Sequence, residues 1–231
     1  AERLPIAIPR FELFGRACDD FPYTFIGYRK LPGTPIQLGT SVELSPSGER
    51  AIARQLGSFL GALHASTPAV DRCELPLRQP LLQSEPAYHW RENIAALRET
   101  DATLAARVEQ VLEAQPAFES PVNEGVLIHA DLDLEHILID PERERVTGII
   151  DWGDVALGPA AHDFVGMYGW RGPRFVEQVL EHYAGPVTTR DFAWLRLRSL
   201  SIALGNIAYG KLAERDSYVR AGLHAVRTVL A

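Results

Sequence analysis

The sequence predicts an α+β fold that is mostly helical, with a small extended element in front and a compact β-hairpin set embedded in the helices. Three observations predict it. Apolar residues recur at helical spacing through most of the chain from Ser45 onward. Three short β-branched runs, VLIH, HILID and VTGIID, crowd around the charged turn PERER between Val126 and Asp151. The opening stretch instead mixes prolines and aromatics with a period-two alternation at Tyr23, Phe25 and Gly27.

Taken in order, PIAIPRFELFGRACDDFPYTFIGYRKLPG reads as one or two strands closed by a Pro-Gly turn. Ser45 is a capping residue with Pro46 in the first turn, and Ile52, Leu56, Phe59, Leu60 and Leu63 form one helical face as far as His64. A proline-rich loop around Pro68, Pro76 and Pro80 leads to a helix from about Ala87 to Leu97 and another with Leu104, Val108, Val111 and Leu112 on one face. After the β-rich segment, PAAHDFVGMYG, Phe175 to Tyr183, Asp191 to Leu212 and Arg215 to the end all carry helical patterns. Gly166, Gly169 and Gly172 do not follow a strand as a phosphate loop would, and read as a turn. Trp170 and Trp194 read as core residues, and His64, His89, His162, His182 and His224 as packing or surface residues.

With 231 residues and 46% hydrophobic content the chain can bury a sizeable core. Twenty-three basic against thirty acidic residues give a net charge of −7, which argues against a nucleic-acid surface. Cys18 and Cys73 stand in unrelated contexts, which excludes a disulfide scaffold or a cysteine zinc module. No apolar run reaches the roughly 18 residues that cross a bilayer, and AERLPIAIPR has no signal core, so no membrane partner and a cytoplasmic location are expected.

The chemistry-bearing residues sit in the β-rich segment. Asp131 follows the first β run and Asp151 ends the last, so a strand, turn, strand path brings both carboxylates to one end of a hairpin. A magnesium ion is commonly held by one or two protein carboxylates plus substrate phosphates, which suits Asp151 with a neighbour. A carboxylate set apart from it, Asp131, can orient an attacking hydroxyl and take its proton. The layout points to phosphoryl transfer.

The motifs HADLDLEHILID, VTGIIDWGD and GPAAHDF, with the turn GYRKLPG and the helix end LGSFLGALHAS, resemble the aminoglycoside phosphotransferase and choline kinase-like family, nearest to its aminoglycoside 2″-phosphotransferase and macrolide phosphotransferase branches. The resemblance implies a protein-kinase-like fold, with residues 1–32 a remnant of the amino-terminal nucleotide lobe and its hinge and 33–231 the helical catalytic and substrate lobe. It implies that Asp131 is the catalytic base and that His136, standing where asparagine is usual, holds Mg²⁺ with Asp151. ATP or GTP is the implied co-substrate, met by Arg29 and Leu31 at the hinge and by Leu138 and Ile150 beneath the base. The implied acceptor is a hydroxyl of a small molecule, an aminoglycoside or a macrolide, with Asp133, Glu135 and Asp154 attracting an aminoglycoside's ammonium groups. Asp163 falls where the family has a buried acid bracing the catalytic loop, and His129 reads as a second loop-holding residue.

A working member also needs a glycine-rich flap and a strand lysine over the phosphates. No G-x-G-x-x-G occurs, and the two lysines, Lys30 and Lys211, fall in the hinge and in a late helix. The phosphate-clamping lobe is therefore expected to be missing from this stretch. That raises an alternative, a non-catalytic kinase-like binding body or an inactive fragment. A third reading, a metal-dependent hydrolase using His129, Asp131, His136 and Asp151, needs a transition metal and no nucleotide.

Overall fold

The computed structural model describes residues 4–36, 43–67, 90–114 and 125–231. The chain opens on an antiparallel hairpin of β1 (Phe11–Gly15) and β2 (Phe25–Tyr28), the two strands expected there. The Pro32–Gly33 turn then delivers β3 (Thr34–Pro35) onto a three-stranded sheet. Gly33 has φ 108°, and a Cβ there would stand 2.1 Å from Thr147 Oγ1, the hydroxyl that donates to Pro32 O at 2.7 Å. Only glycine fits this turn without displacing its own hydrogen bond.

Ser45 caps α1 (Pro46–Ala65): its Oγ accepts the Gly48 N–H at 3.0 Å, and Pro46 occupies the first turn, where no N–H is needed. The Glu144 carboxylate accepts both the N–H and the Oγ–H of Ser45 at 2.5 Å, which ties the helix start to a strand turn and holds that carboxyl below its ordinary value. The predicted stripe of Ile52, Leu56, Phe59, Leu60 and Leu63 is buried in full. Gly57 lets a later helix come close, since a Cβ there would lie 2.3 Å from Val179 O.

The second predicted helix is seen as α2 (Trp90–Thr100), and Ala87, like Cys73, His89 and the loop with Pro68, Pro76 and Pro80, lies outside the described residues. Asp101 caps α3 (Ala102–Glu113) by accepting the Leu104 N–H at 2.9 Å, and Leu104 and Val108 are buried.

The three β-branched runs form β4 (Val126–Ile128), β5 (Ile137–Asp140) and β6 (Arg145–Ile149), but they do not make one hairpin set. β5 and β6 pair as a hairpin and β3 adds to β5, whereas β4 pairs antiparallel with β7 (Ala156–Gly158) in a separate sheet. The partner strand, Ala-Leu-Gly, has neither the length nor the alternation to be read locally, and between β4 and β5 the chain winds through a 3-10 turn, Leu134–His136. Ile137 and Ile139 enter the main core while the intervening Leu138 turns to the other face, as strand alternation requires.

Three helices complete the chain: α4 (Val165–Leu180), α5 (Phe192–Leu212) and α6 (Asp216–Leu230). α5 is apolar round most of its circumference because it is central, packed by α2, α4 and α6. Gly166, Gly169 and Gly172 lie inside α4 rather than in a turn. Gly172 alone departs from helical geometry, at φ 74°, and Pro173 next to it starts the second half, so α4 is two helical pieces across a kink. Trp170 and Trp194 are buried, as expected. Among the described residues no helix is long and apolar enough to cross a membrane.

Ser45→Ala removes both the cap and the Glu144 contact and is expected to lower the unfolding free energy by about 1–2 kcal/mol. Gly57→Val, which forces α1 away from Val179, is expected to cost about 3 kcal/mol. Urea denaturation followed by far-ultraviolet circular dichroism measures both, and an unchanged midpoint in either variant contradicts the corresponding contact.

Candidate active site

The loop between β4 and β5 is held from behind by one buried carboxylate. Asp163, in the 3-10 turn Ala160–Phe164 that leads into α4, is fully buried and accepts the backbone N–H groups of His129 and Ala130, each at 2.9 Å. Its third partner is His64 of α1, whose Nε2 lies 3.2 Å away and whose Nδ1 meets the Tyr183 hydroxyl at 2.7 Å. Burial alone would raise the carboxyl's pKa, but the hydrogen bond and charge of His64 and the N–H of His129 outweigh it and hold the group below its ordinary value. Ala130 takes the left-handed conformation at φ 68°, a position an alanine keeps only where its surroundings impose it.

His129 is also buried, and both ring nitrogens are used: Nε2–H donates to Ile150 O at 2.9 Å, and Nδ1 accepts the Asp131 N–H at 3.3 Å. It therefore ties the loop to the end of β6, as the sequence implies. The tie is doubled by the Ile150 N–H, which donates to His136 O at 3.0 Å.

These contacts place Asp131, His136 and Asp151 together. His136 Nδ1–H donates to the Asp131 carbonyl at 2.7 Å, and because a carbonyl only accepts, the tautomer of the neutral ring is fixed. Its Nε2 lone pair then faces Asp151 Oδ2 at 3.4 Å, while Asp131 Oδ2 lies 3.7 Å from Nδ1. The two carboxylates flank one imidazole from opposite nitrogens. Both remain open to solvent, with side-chain exposures of 52% for Asp131 and 61% for Asp151. Asp151 is itself left-handed, at φ 62° and ψ 66°, so its carboxylate is aimed by a backbone that an aspartate tolerates and most residues resist. A cation at this position, or an N–H on Nε2, satisfies both atoms. Among the described residues no three His, Cys, Asp or Glu side chains form a complete metal cage.

Asp131 and Asp133 line a cavity of about 110 Å³ between the loop and helices α4, α5 and α6. Gly166 lets the loop rest on α4, since a Cβ there would stand 2.6 Å from Leu132 O. Asp133 accepts the Leu134 N–H at 2.9 Å, and its pKa is pushed up, chiefly by burial, with the Asp131 charge adding to it. Glu135 is raised for the same first reason and by Asp133. Neither Glu135 nor Asp154 is among the described residues lining the cavity, although Glu135 stands close enough to Asp133 to feel its charge.

Of the four residues implied for the nucleotide, Arg29 and Leu31 line a second cavity of about 380 Å³ with residues from Leu4 to Glu12. Arg29 is exposed and its Nε donates to the Glu12 carboxylate at 3.1 Å. Leu138 pairs across the hairpin with Gly148, where a Cβ would come within 2.8 Å of the Leu31 side chain. Leu31 and Leu138 thus border one apolar surface, and the backbone of Ile150 bonds to His129 and His136.

The sequence reading missed three features. His64 is a buried partner of the loop brace rather than a packing residue, and nothing local distinguishes it. His162 and His224 line the first cavity. Arg198, 7% exposed, lines it as well, and here a signal existed: an arginine inside the apolar run of α5.

Comparison with known proteins agrees with this architecture. The phosphotransferase enzyme family matches residues 1–200. Viomycin phosphotransferase of Streptomyces vinaceus is 27% identical over 179 residues, 74% of this chain but only 58% of that protein, so the match spans little more than half of the relative. A structure of the GDP and kanamycin complex of an APH(2″) enzyme superposes with a TM-score of 0.67 at 20% identity, covering 99% of this chain and 77% of the other. The macrolide 2′-phosphotransferase apoenzyme of Brachybacterium faecium gives 0.56 at 24% identity, covering 98% and 75%. At these identities the two structures establish the kinase-like fold.

Asp163→Ala leaves His64 and two N–H groups without their buried partner and is expected to cost about 3–5 kcal/mol at pH 7. Because the folded-state pKa is depressed, the carboxylate's contribution is complete above the ordinary value of 3.8 and is lost as pH falls through the lower folded value. The stability gap between wild type and variant should therefore narrow as pH falls below 3.8, and a constant gap down to pH 2 contradicts the assignment.

Proposed function

We propose, from the premise that this chain belongs to the phosphotransferase enzyme family, that its active site transfers the γ-phosphate of ATP or GTP to a hydroxyl of a small molecule. The observation that carries the reading is the pair of solvent-open carboxylates, Asp131 and Asp151, fixed on either side of the His136 ring. The names viomycin phosphotransferase, aminoglycoside 3′-phosphotransferase and macrolide 2′-phosphotransferase support a hydroxylated antibiotic, an aminoglycoside or a macrolide, as acceptor class.

In the mechanism Asp131 orients the acceptor hydroxyl and takes its proton as the acceptor oxygen bonds to the γ-phosphorus. The bond from that phosphorus to the β–γ bridging oxygen breaks, and a nucleoside diphosphate leaves. His136 Nε2 and Asp151 Oδ2 would hold Mg²⁺, one nitrogen and one oxygen 3.4 Å apart, with the nucleotide phosphates completing the shell. When bound, the ion neutralises charge on the phosphates. Leu31 and Leu138 offer the apolar surface for the base, and residues 1–32 and 33–231 divide into hinge side and catalytic side.

A second reading, a kinase-like body that binds without turning over, rests on the lysines. Lys211 pairs with Glu99 at 2.9 Å far along α5, and Lys30 lies beside the hinge, so no lysine of this chain stands over the phosphates.

Asp131→Asn is expected to lower phosphate transfer about 10²–10⁴-fold with little change in the affinity for Mg–ATP or Mg–GTP. Asp151→Ala is expected to remove the magnesium dependence of nucleotide affinity. Calorimetry and nucleoside diphosphate release measure the two. Undiminished transfer by Asp131→Asn sinks the mechanism, and no nucleotide binding at millimolar concentration with magnesium selects the second reading.

A further inference from the structure

His224, in the wall of the cavity next to Asp131, uses one of its two ring nitrogens. The reason lies in the interruption of α4. Gly172 has φ 74° and ψ −170°, outside helical geometry, and the next residue, Pro173, has no N–H to give. The first half of α4 therefore ends on carbonyls that need donors from elsewhere. One of them, Trp170 O, is met from α6 by His224 Nε2 at 2.8 Å. A carbonyl only accepts, so the proton of the neutral ring sits on Nε2, and Nδ1 is left as a bare lone pair. Thr228 Oγ1, at 3.5 Å, approaches the same Nε2 and leaves Nδ1 untouched. Among the described residues nothing bonds to Nδ1, and the atom is accessible rather than a buried orphan.

Val165 and Trp170 of α4 and Ile202 of α5 supply apolar surface to the same wall. Apolar surface excludes water from an occupant but does not orient it, and a few directed polar groups do that. The His224 lone pair is such a group, and it is fixed in advance, because the ring cannot turn Nδ1 aside without breaking its bond to Trp170 O. An O–H or N–H of an occupant satisfies this lone pair. An ether or ester oxygen in the same place sets two acceptors against each other and loses a water hydrogen bond without replacement.

We infer that His224 is a specificity-determining residue, whose Nδ1 accepts a hydrogen bond from the acceptor molecule. This rests on the phosphotransferase reading for the identity of the cavity as the acceptor site. The acceptor class that follows is a polyol or amino sugar with two separate donors: the hydroxyl that Asp131 orients for transfer, and a second O–H or N–H for His224.

The test reads binding and does not depend on turnover. Long-range proton–nitrogen NMR correlation on the full chain distinguishes the two nitrogens of His224. Saturating kanamycin or erythromycin is expected to move the Nδ1 resonance while Nε2 keeps its proton and its bond to Trp170 O. Two variants separate support from recognition. A glutamine amide can place an N–H where Nε2 stands but no acceptor at Nδ1, and an asparagine amide can place an oxygen at Nδ1 but no donor near Trp170 O. By calorimetry His224→Gln is expected to bind the same probes about fivefold or more weakly with an unchanged urea midpoint, while His224→Asn unfolds at lower urea and keeps its affinity within about twofold. Undiminished affinity in His224→Gln, an Nδ1 resonance that neither probe moves, or a wild-type chain that binds neither probe overturns the inference. The wild-type spectrum decides the matter even if a variant fails to fold. Failure of the phosphotransferase reading shows up separately, as absent nucleotide binding with the Nδ1 response intact.

Discussion

One buried carboxylate governs the geometry on which the rest depends. Asp163 is withdrawn from water and keeps its charge because three donors converge on it: the His64 ring and two consecutive backbone N–H groups of the loop. A single charge with three directed partners fixes orientation as well as position. That is how Ala130 is kept left-handed, and how the chain leaves β4 at the angle that turns Asp131 toward the cavity. His64 brings α1 into the same arrangement, and Tyr183 behind it extends the contact past the end of α4. The loop is therefore braced by three separated stretches of chain, and local changes in any of them reach the same two N–H groups.

Outward from that brace the site divides into rigid and open parts. His129, His136, Ile150 and the backbone of Asp131 are locked to one another by hydrogen bonds, and the rings of His129 and His136 stack with centroids 6.1 Å apart. The carboxylates of Asp131 and Asp151 are the parts left to solvent. Such a layout suits groups that must exchange protons or ions with a ligand while their supports stay still. The strained backbone at Asp151 belongs to the same logic, because it points a carboxylate at His136 that an extended residue would direct elsewhere.

Net charge describes the whole surface rather than the site. The chain carries −7 overall, which by itself favours a cationic partner. The wall of the cavity next to Asp131 is mainly apolar, with Asp131, Asp133, Arg198 and two histidines, His162 and His224, among its described polar residues. Glu135 and Asp154 lie near Asp131 and Asp151 in sequence yet are not among the described residues of that lining.

What could be read in advance was whatever depends on a few consecutive residues. The cap at Ser45, the stripe from Ile52 to Leu63, the β5–β6 hairpin around PERER, and the convergence of Asp131 with Asp151 all follow from period and spacing. The family pattern of motifs pointed to Asp163 as a brace and to His136 beside Asp151. What tertiary structure alone decided are the long-range pairings: β4 with a three-residue strand beyond Asp151, His64 with Asp163 across 99 positions, and Arg198 with the cavity. A helical stripe records only that a face is buried, and the identity of what covers it depends on how distant segments pack. His64 and Arg198 carry no local mark of their partners because those partners come from elsewhere in the chain.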